Sequence, residues 1–297
     1  MNERKALLIL HGNQALNAEV RSAVESKRQQ GWELAVRLTW EAGDAQRLVD
    51  EALAAGYTQL IAGGGDGTLR DIAEALALNP NDASLVLLPL GTANDFARAA
   101  GVSLIPGEAL DLLEVPARAI DLGEVGGQVF LNMATGGFGS QVTANTSEDL
   151  KKILGSAAYL FTGLTRFNEL HAAYGELQGP GFHWHGDLLA LGIGNGRQAG
   201  GGHVLCPQAL VDDGLLDISI LPAPQEVVAT LRDLLADGWG IDNMFVRVRL
   251  PWVEIKVSEG LYINLDGEPL QGDSLRFSTR PGALRVHLPE GSALLGR

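Results

Sequence analysis

A chain of 297 residues with 46% hydrophobic content is ample for a packed core and longer than one domain usually needs, so two domains are expected. A formal net charge of −14 excludes a bulk nucleic-acid binder, and 20% charged residues exclude wholesale disorder. The one cysteine, Cys206, excludes an internal disulfide framework and a zinc site built on several thiolates, and it fits a reducing compartment.

The apolar run Ala6 to Leu10 is too short for a signal-peptide core and reads instead as a buried first strand. No stretch of about 18 apolar residues follows, so a cytoplasmic chain without a transmembrane segment is expected. Residues 15–30 have a helical pattern that Gly31 stops. Leu34, Val36 and Leu38 alternate with Ala35, Arg37 and Thr39, which predicts a second strand. A helix over 44–55, a strand at Leu60 to Ala62, a helix over 68–78 and a strand at Leu85 to Leu88 complete the alternation. That order predicts a parallel α/β sheet with ligands at its strand ends. After about residue 120 short apolar segments take over, at 129–133, 187–193, 215–221, 245–250, 252–257, 261–265, 275–279 and 284–288. Asp213-Gly214, Asp266-Gly267 and Pro281-Gly282 read as turns between them, the pattern of a mostly β domain, sandwich or barrel-like.

Gly63-Gly64-Gly65-Asp66-Gly67-Thr68 stands between a strand and a helix. Glycines let a backbone bend sharply and approach phosphate oxygens, and the helix start supplies free N–H groups and a positive dipole end. Asp66 repels phosphate, so it is read as holding the loop or a metal-bound water, with Thr68 as a helix cap. A plain βα turn explains the segment about equally well. Pro89-Leu90-Gly91-Thr92-Ala93-Asn94-Asp95-Phe96-Ala97 repeats the arrangement at the next strand. Thr92 and Asn94 are candidates for hydrogen bonds to nucleotide or phosphate, and Asp95 for a cap. Two such loops in succession favour a site. No Gly-Lys pair exists, so there is no Walker A loop, and the protein-kinase motifs are absent too.

With GGGDGT followed by PLGTANDFA, the sequence resembles the diacylglycerol kinase catalytic-domain superfamily, and most nearly its bacterial YegS-type lipid kinases. The resemblance continues through Asn132-Met133-Ala134-Thr135-Gly136-Gly137-Phe138-Gly139, Gly194-Asn195-Gly196-Arg197-Gln198-Ala199-Gly200-Gly201-Gly202, Asp213-Gly214 and Leu265-Asp266-Gly267-Glu268-Pro269. It implies an α/β parallel-sheet nucleotide domain over 1–121 and a β-sandwich domain over 122–297. It also implies an active-site cleft between them, with a C-terminal tail able to pack back on the first domain. It further implies that Thr39, Gly64, Gly65, Asp66, Gly67, Thr68, Leu69, Arg70, Asp71 and Thr92 contact ATP. One position departs: many members carry Asn-Pro after the first strand, where this chain has His11-Gly12-Asn13.

Asp212-Asp213-Gly214 by itself reads as a turn entering a strand. The resemblance makes Asp213, with the carbonyls of Leu210 and Leu215, a second magnesium site distinct from the Mg2+ on ATP, and leaves Ca2+ open there. It also makes Glu268 the proton acceptor for the substrate hydroxyl, with Asp266 as second candidate. The implied partners are a lipid substrate and a transient membrane-surface contact, with no nucleic acid, and a homodimer stays open. Gly192 to Gly196 looks faintly like a dinucleotide fingerprint, but no helix pattern follows it. His183 and His185, and the isolated His203 and Cys206, make weak metal cases. Residues 150–167 read as a helix packing on the second domain, or less readily as a membrane-contact helix. The expected function is therefore transfer of the ATP γ-phosphoryl group to a lipid hydroxyl. A kinase of a soluble hydroxyl, such as NAD or a sugar phosphate, and a nucleotide- or lipid-binding protein without catalysis are its rivals.

Overall fold

In the computed structural model, residues 4–78, 82–137, 173–223 and 244–296 are described. The predicted helix over 150–167 lies outside them. By its internal packing the chain divides into two units. One is Met1–Leu122 with Leu210–Asp213 and Arg280–Arg297; the other is Gly123–Ala209 with Gly214–Thr279.

The first unit is built on strands β1 (Lys5–His11), β2 (Glu33–Thr39), β3 (Gln59–Gly64) and β4 (Ser84–Pro89). They pair in parallel in the order β4-β3-β1-β2. β1, β3 and β4 are almost continuously buried, as strands covered on both faces are. β2 ends the order, so its alternation buries Leu34 but leaves Leu38 45% exposed. Five helices connect and follow these strands: α1 (Ala18–Gln29), α2 (Asp44–Ala54), α3 (Asp66–Leu78), α4 (Asp95–Ala100) and α5 (Pro106–Asp111). The first begins three residues later than its apolar pattern, because the Asn17 carboxamide oxygen caps it by accepting from the N–H groups of Glu19 and Val20.

The remaining strands are β5 (Arg118–Val125), β6 (Gln128–Phe130), β7 (Met133–Gly137), β8 (Ala173–Gly179), β9 (Phe182–Gly194), β10 (Gln198–Ala199), β11 (His203–Val204), β12 (Leu216–Pro222), β13 (Val246–Leu250), β14 (Trp252–Leu265) and β15 (Glu268–Val286). In the second unit β13, β12, β9, β7 and β14 follow one another antiparallel, and β14 pairs β15. Their shared core includes Leu188, Leu191, Ile193, Ile218, Ile255 and Phe277. Two features differ from the sequence reading. The segments 252–257 and 261–265 are one strand, continuous across a register shift between Lys256 and Leu261. Pro281-Gly282 does not end β15 either; Gly282 adopts a positive φ of 62° and donates its N–H to Asp121 at 2.8 Å.

β15 runs from the second unit into the first, where Arg285 and Val286 pair in parallel with Ser84 and Leu85. The following residue, His287, is buried. Its Nδ1–H donates to the Val115 carbonyl at 2.5 Å, and its Nε2 lies 2.8 Å from the Ser84 hydroxyl, placed to accept from it. Burial pushes the imidazole below its ordinary pKa; the bond to Val115 opposes this and the Arg285 charge adds to it. A depressed histidine pKa means the unfolded chain takes up the proton first. Stability is then full above about pH 6.5 and declines as pH falls from there to the folded value. We expect the urea midpoint to fall on acidification below about pH 6.5. The variant His287→Asn should lose about 1–2 kcal/mol at neutral pH and show a flatter acid limb, as read by denaturation at several pH values.

Candidate active site

The two glycine turns lie side by side at the ends of β3 and β4. A Cβ on Gly91 would fall 2.5 Å from the Gly65 Cα, and one on Gly65 would fall 3.2 Å from the Gly91 Cα. The Leu90 N–H donates to the Gly64 carbonyl at 2.7 Å, which locks the loops together. Behind Gly64, an added Cβ would lie 2.6 Å from the Thr68 Cβ. Gly64 and Gly91 are therefore set by close packing on side chain and backbone rather than by turning alone, and Gly65 leaves only a tight fit for a Cβ. Gly67 is exposed at the start of α3, and a Cβ there would meet open space. The pair of turns thus offers backbone at a helix start, where an anion finds N–H groups and the positive end of the dipole.

The polar side chains of this region mostly hold the loops. Asp66 reaches the start of α4, accepting from the N–H groups of Asp95 and Phe96. Burial raises its pKa, those two N–H bonds oppose the rise, and the charge of Asp95 adds to it. The cap of α4 is therefore supplied from the neighbouring loop. Asp95 is buried as the first residue of the helix, and Asn94 before it makes no side-chain cap bond. Asn94 sits at a positive φ of 51° with its carboxamide closed on Gly91: Oδ1 accepts from the Gly91 N–H at 2.9 Å and Nδ2 donates to its carbonyl at 2.7 Å. Arg70 donates to Asp71 at 2.6 Å, Leu69 is buried, and Thr92 is exposed beside Gly91. Thr39 ends β2 opposite His11, and its carbonyl closes on Gly12 so tightly that a Cβ there would fall 2.5 Å from it. Gln14, which carried no role in the sequence reading, donates to the Leu90 carbonyl at 3.2 Å. Nothing local could have marked it, since its partner is 76 positions away.

In the second unit Asp266 and Gly267 form a two-residue hairpin turn between β14 and β15, with φ values of 45° and 106°. Both central residues at positive φ define a type I′ turn, which Asp-Gly favours. The Asp266 carboxylate accepts three backbone N–H groups, from Leu131 at 2.7 Å, Asn132 at 3.1 Å and Met133 at 2.7 Å. Its own N–H donates to the Met133 carbonyl. Asn195, buried beside this segment, donates to the Leu131 carbonyl at 2.8 Å, and its N–H donates to the Asn132 carbonyl. Asn132 and Asn195 belong to motifs visible in the sequence, but only the fold gives them this task. Glu268, the first residue of β15, is exposed at the rim of the pinned turn.

At the Asp212-Asp213 pair, Asp212 accepts from the Gly296 N–H at 2.7 Å, and the Val211 N–H donates to Leu294. The chain turns at Gly214, with a φ of 74°. Leu210, Asp213 and Leu215 are half-buried around that turn. Among the described residues no group of three or more His, Cys, Asp or Glu side chains could hold a metal, so a site here would rest on one carboxylate with carbonyl oxygens. Among the described residues strands rather than a helix follow Gly196, His183 pairs with Glu176 at 2.9 Å on an exposed strand face, and burial pushes the Cys206 thiol up to about 12.

Residues 5–125 match the family described as diacylglycerol kinase catalytic domain, and residues 133–288 match the YegS C-terminal NAD kinase beta sandwich-like domain. A solved structure named as a diacylglycerol kinase from Bacillus anthracis str. Sterne shares the fold, with a TM-score of 0.74 and 20% identity over 99% of this chain and 100% of that one. The sequence is 83% identical to a protein of Pseudomonas fluorescens (strain Pf0-1) named "Probable lipid kinase YegS-like", over 99% of this chain and 97% of the relative. It is 69% identical to a protein of Pseudomonas aeruginosa PAO1 with the same name, over 99% and 98%. The chain belongs to the YegS-like family of the diacylglycerol kinase catalytic-domain proteins.

Asparagine tolerates positive φ as aspartate does, so Asp266→Asn isolates the carboxylate from the turn geometry. It places an NH2 group where backbone donors need an acceptor. We expect a loss of about 2–3 kcal/mol, read from urea denaturation of the variant against the parent chain.

Proposed function

We propose that this chain is an ATP-dependent lipid kinase that transfers the γ-phosphoryl group to a hydroxyl of a membrane lipid. The observation that carries the reading is the abutted pair of glycine turns, in a chain whose close relatives are named lipid kinases. In this reading Gly64 to Asp71, with Thr39 and Thr92, hold the nucleotide. Backbone N–H groups at the start of α3 take the part that a lysine plays in a Walker loop. Asp66 and Asn94 serve by keeping the two turns in register, since both side chains are spent on backbone groups of the second turn.

Glu268 orients the lipid hydroxyl and accepts its proton as the new P–O bond forms and the bond to the ADP oxygen breaks. Asp266 holds that turn in place, its carboxylate being committed to three backbone N–H groups. The donor set of Asp213 with the carbonyls of Leu210 and Leu215 is all oxygen, which fits Mg2+ or Ca2+ rather than a soft metal. A cation bound there would supply fixed positive charge to its own turn, and one bound with ATP would neutralise phosphate charge.

The direct test is γ-labelled ATP with a panel of hydroxyl-bearing lipids in mixed micelles, with NAD and a sugar phosphate as controls. Label should enter a lipid and neither control. Label in NAD or in the sugar phosphate alone would hand the chain to a soluble acceptor. In the same assay Glu268→Gln should lower kcat roughly 10²–10⁴-fold while ATP affinity holds. Gly65→Ala should do the reverse, weakening ATP binding tenfold or more on the order expected for a displaced phosphate loop. A thermal melt close to the parent's would confirm that this variant folds.

A further inference from the structure

Exposed large hydrophobic side chains gather at one corner of the first unit. Trp40 is 92% exposed, Leu16 83% and Leu38 45%. β1 and β2 run parallel, with His11 opposite Thr39, so the segments carrying Leu16 and Trp40 leave from the same end of neighbouring strands. Both glycine turns leave β3 and β4 at that end too. Leu38 is the last residue but one of the edge strand β2 and Trp40 the first residue beyond it, so both stand at that same end.

The exposure of Trp40 is not that of a loose loop. Its N–H donates to the Asp44 carboxylate at 2.6 Å, and the next N–H, of Glu41, donates to the same oxygen at 3.0 Å. Arg47 grips Asp44 at 2.7 Å, and this bond, with the two N–H bonds, lowers the Asp44 pKa to about 2. The Leu16 loop is braced in the same manner, with the Arg21 guanidinium donating twice to the Ala15 carbonyl. Backbone held firm while the largest apolar side chain stands in water is costly unless something covers it.

We propose that Trp40, Leu16 and Leu38 insert into the headgroup region of a bilayer and set the nucleotide end of the first unit against the membrane that holds the substrate. This rests on the lipid-kinase reading, and it names the surface through which a chain with no membrane-spanning helix among its described residues reaches its acceptor. An indole is suited to that boundary, with an apolar body and an N–H left to the wet side. The exposed Arg21, held against the Ala15 carbonyl beside Leu16, matches anionic headgroups, which a chain of net charge −14 would otherwise meet with repulsion.

The test is co-sedimentation with phosphatidylcholine–phosphatidylglycerol vesicles, for the full chain and for Trp40→Ser and Leu16→Ser. Partition should fall roughly ten- to hundredfold in Trp40→Ser and less in Leu16→Ser. ATP affinity should stay unchanged in both, as should turnover on a short-chain, monomerically dispersed form of the lipid that accepts label in the panel. Unchanged partition in Trp40→Ser, or no vesicle binding by the parent chain, overturns the proposal. A loss of ATP affinity in Trp40→Ser also overturns it, and makes the indole a cover for the nucleotide base. Vesicle binding through Trp40 without phosphate transfer to any lipid would uphold the surface and sink the kinase reading instead.

Discussion

Close approach of Gly65 to Gly91 is the contact on which the paired glycine turns of the first unit depend. With a virtual Cβ on Gly91 only 2.5 Å from the Gly65 Cα, no other residue type fits without parting the loops. The neighbouring bonds reinforce that approach. Leu90 donates to Gly64, Asn94 closes on Gly91, and Asp66 crosses to the start of α4. Each uses a polar group that would otherwise need water, so the two turns hold one another in place.

Carboxylates are plentiful in this chain, 36 against 22 lysines and arginines, and several of them are engaged by backbone donors. Asp66 accepts from a helix start, Asp44 accepts from Trp40 and Glu41 and pairs with Arg47, and Asp266 accepts from three consecutive residues. A carboxylate saturated by N–H donors is an anchor, and its negative charge is spread into the backbone that holds it. Glu268 differs in standing exposed at the rim of an anchored turn, and that contrast of environment separates two acids only two residues apart.

Much of the first unit was legible because its signals are local. The apolar run 6–10, the glycines ending β3 and the stop at Gly31 each act within a few residues, and the observed elements fall within about three residues of them. Features set by distant partners were less legible. Pro281-Gly282 reads as a turn in isolation, yet the strand continues because Gly282 finds Asp121 and the residues beyond it find β4. Leu38 shares the apolar alternation of Leu34 yet is 45% exposed, on the strand that ends the sheet order among the described residues.

The sequence by itself determined the strand–helix alternation, both glycine turns and the Asp-Gly hairpin, since backbone freedom, capping and periodicity belong to a few adjacent residues. It also placed the chain near its family, since the order of motifs survives without a fold. Only the tertiary structure decided that Asp266 is an anchor, through partners 133 to 135 positions away. It alone decided that Asn94 serves its own loop, that the tail returns to set His287 against Ser84 across 203 positions, and that Trp40 stands uncovered. Those outcomes depend on which distant groups a side chain meets, and no short stretch of sequence carries that information.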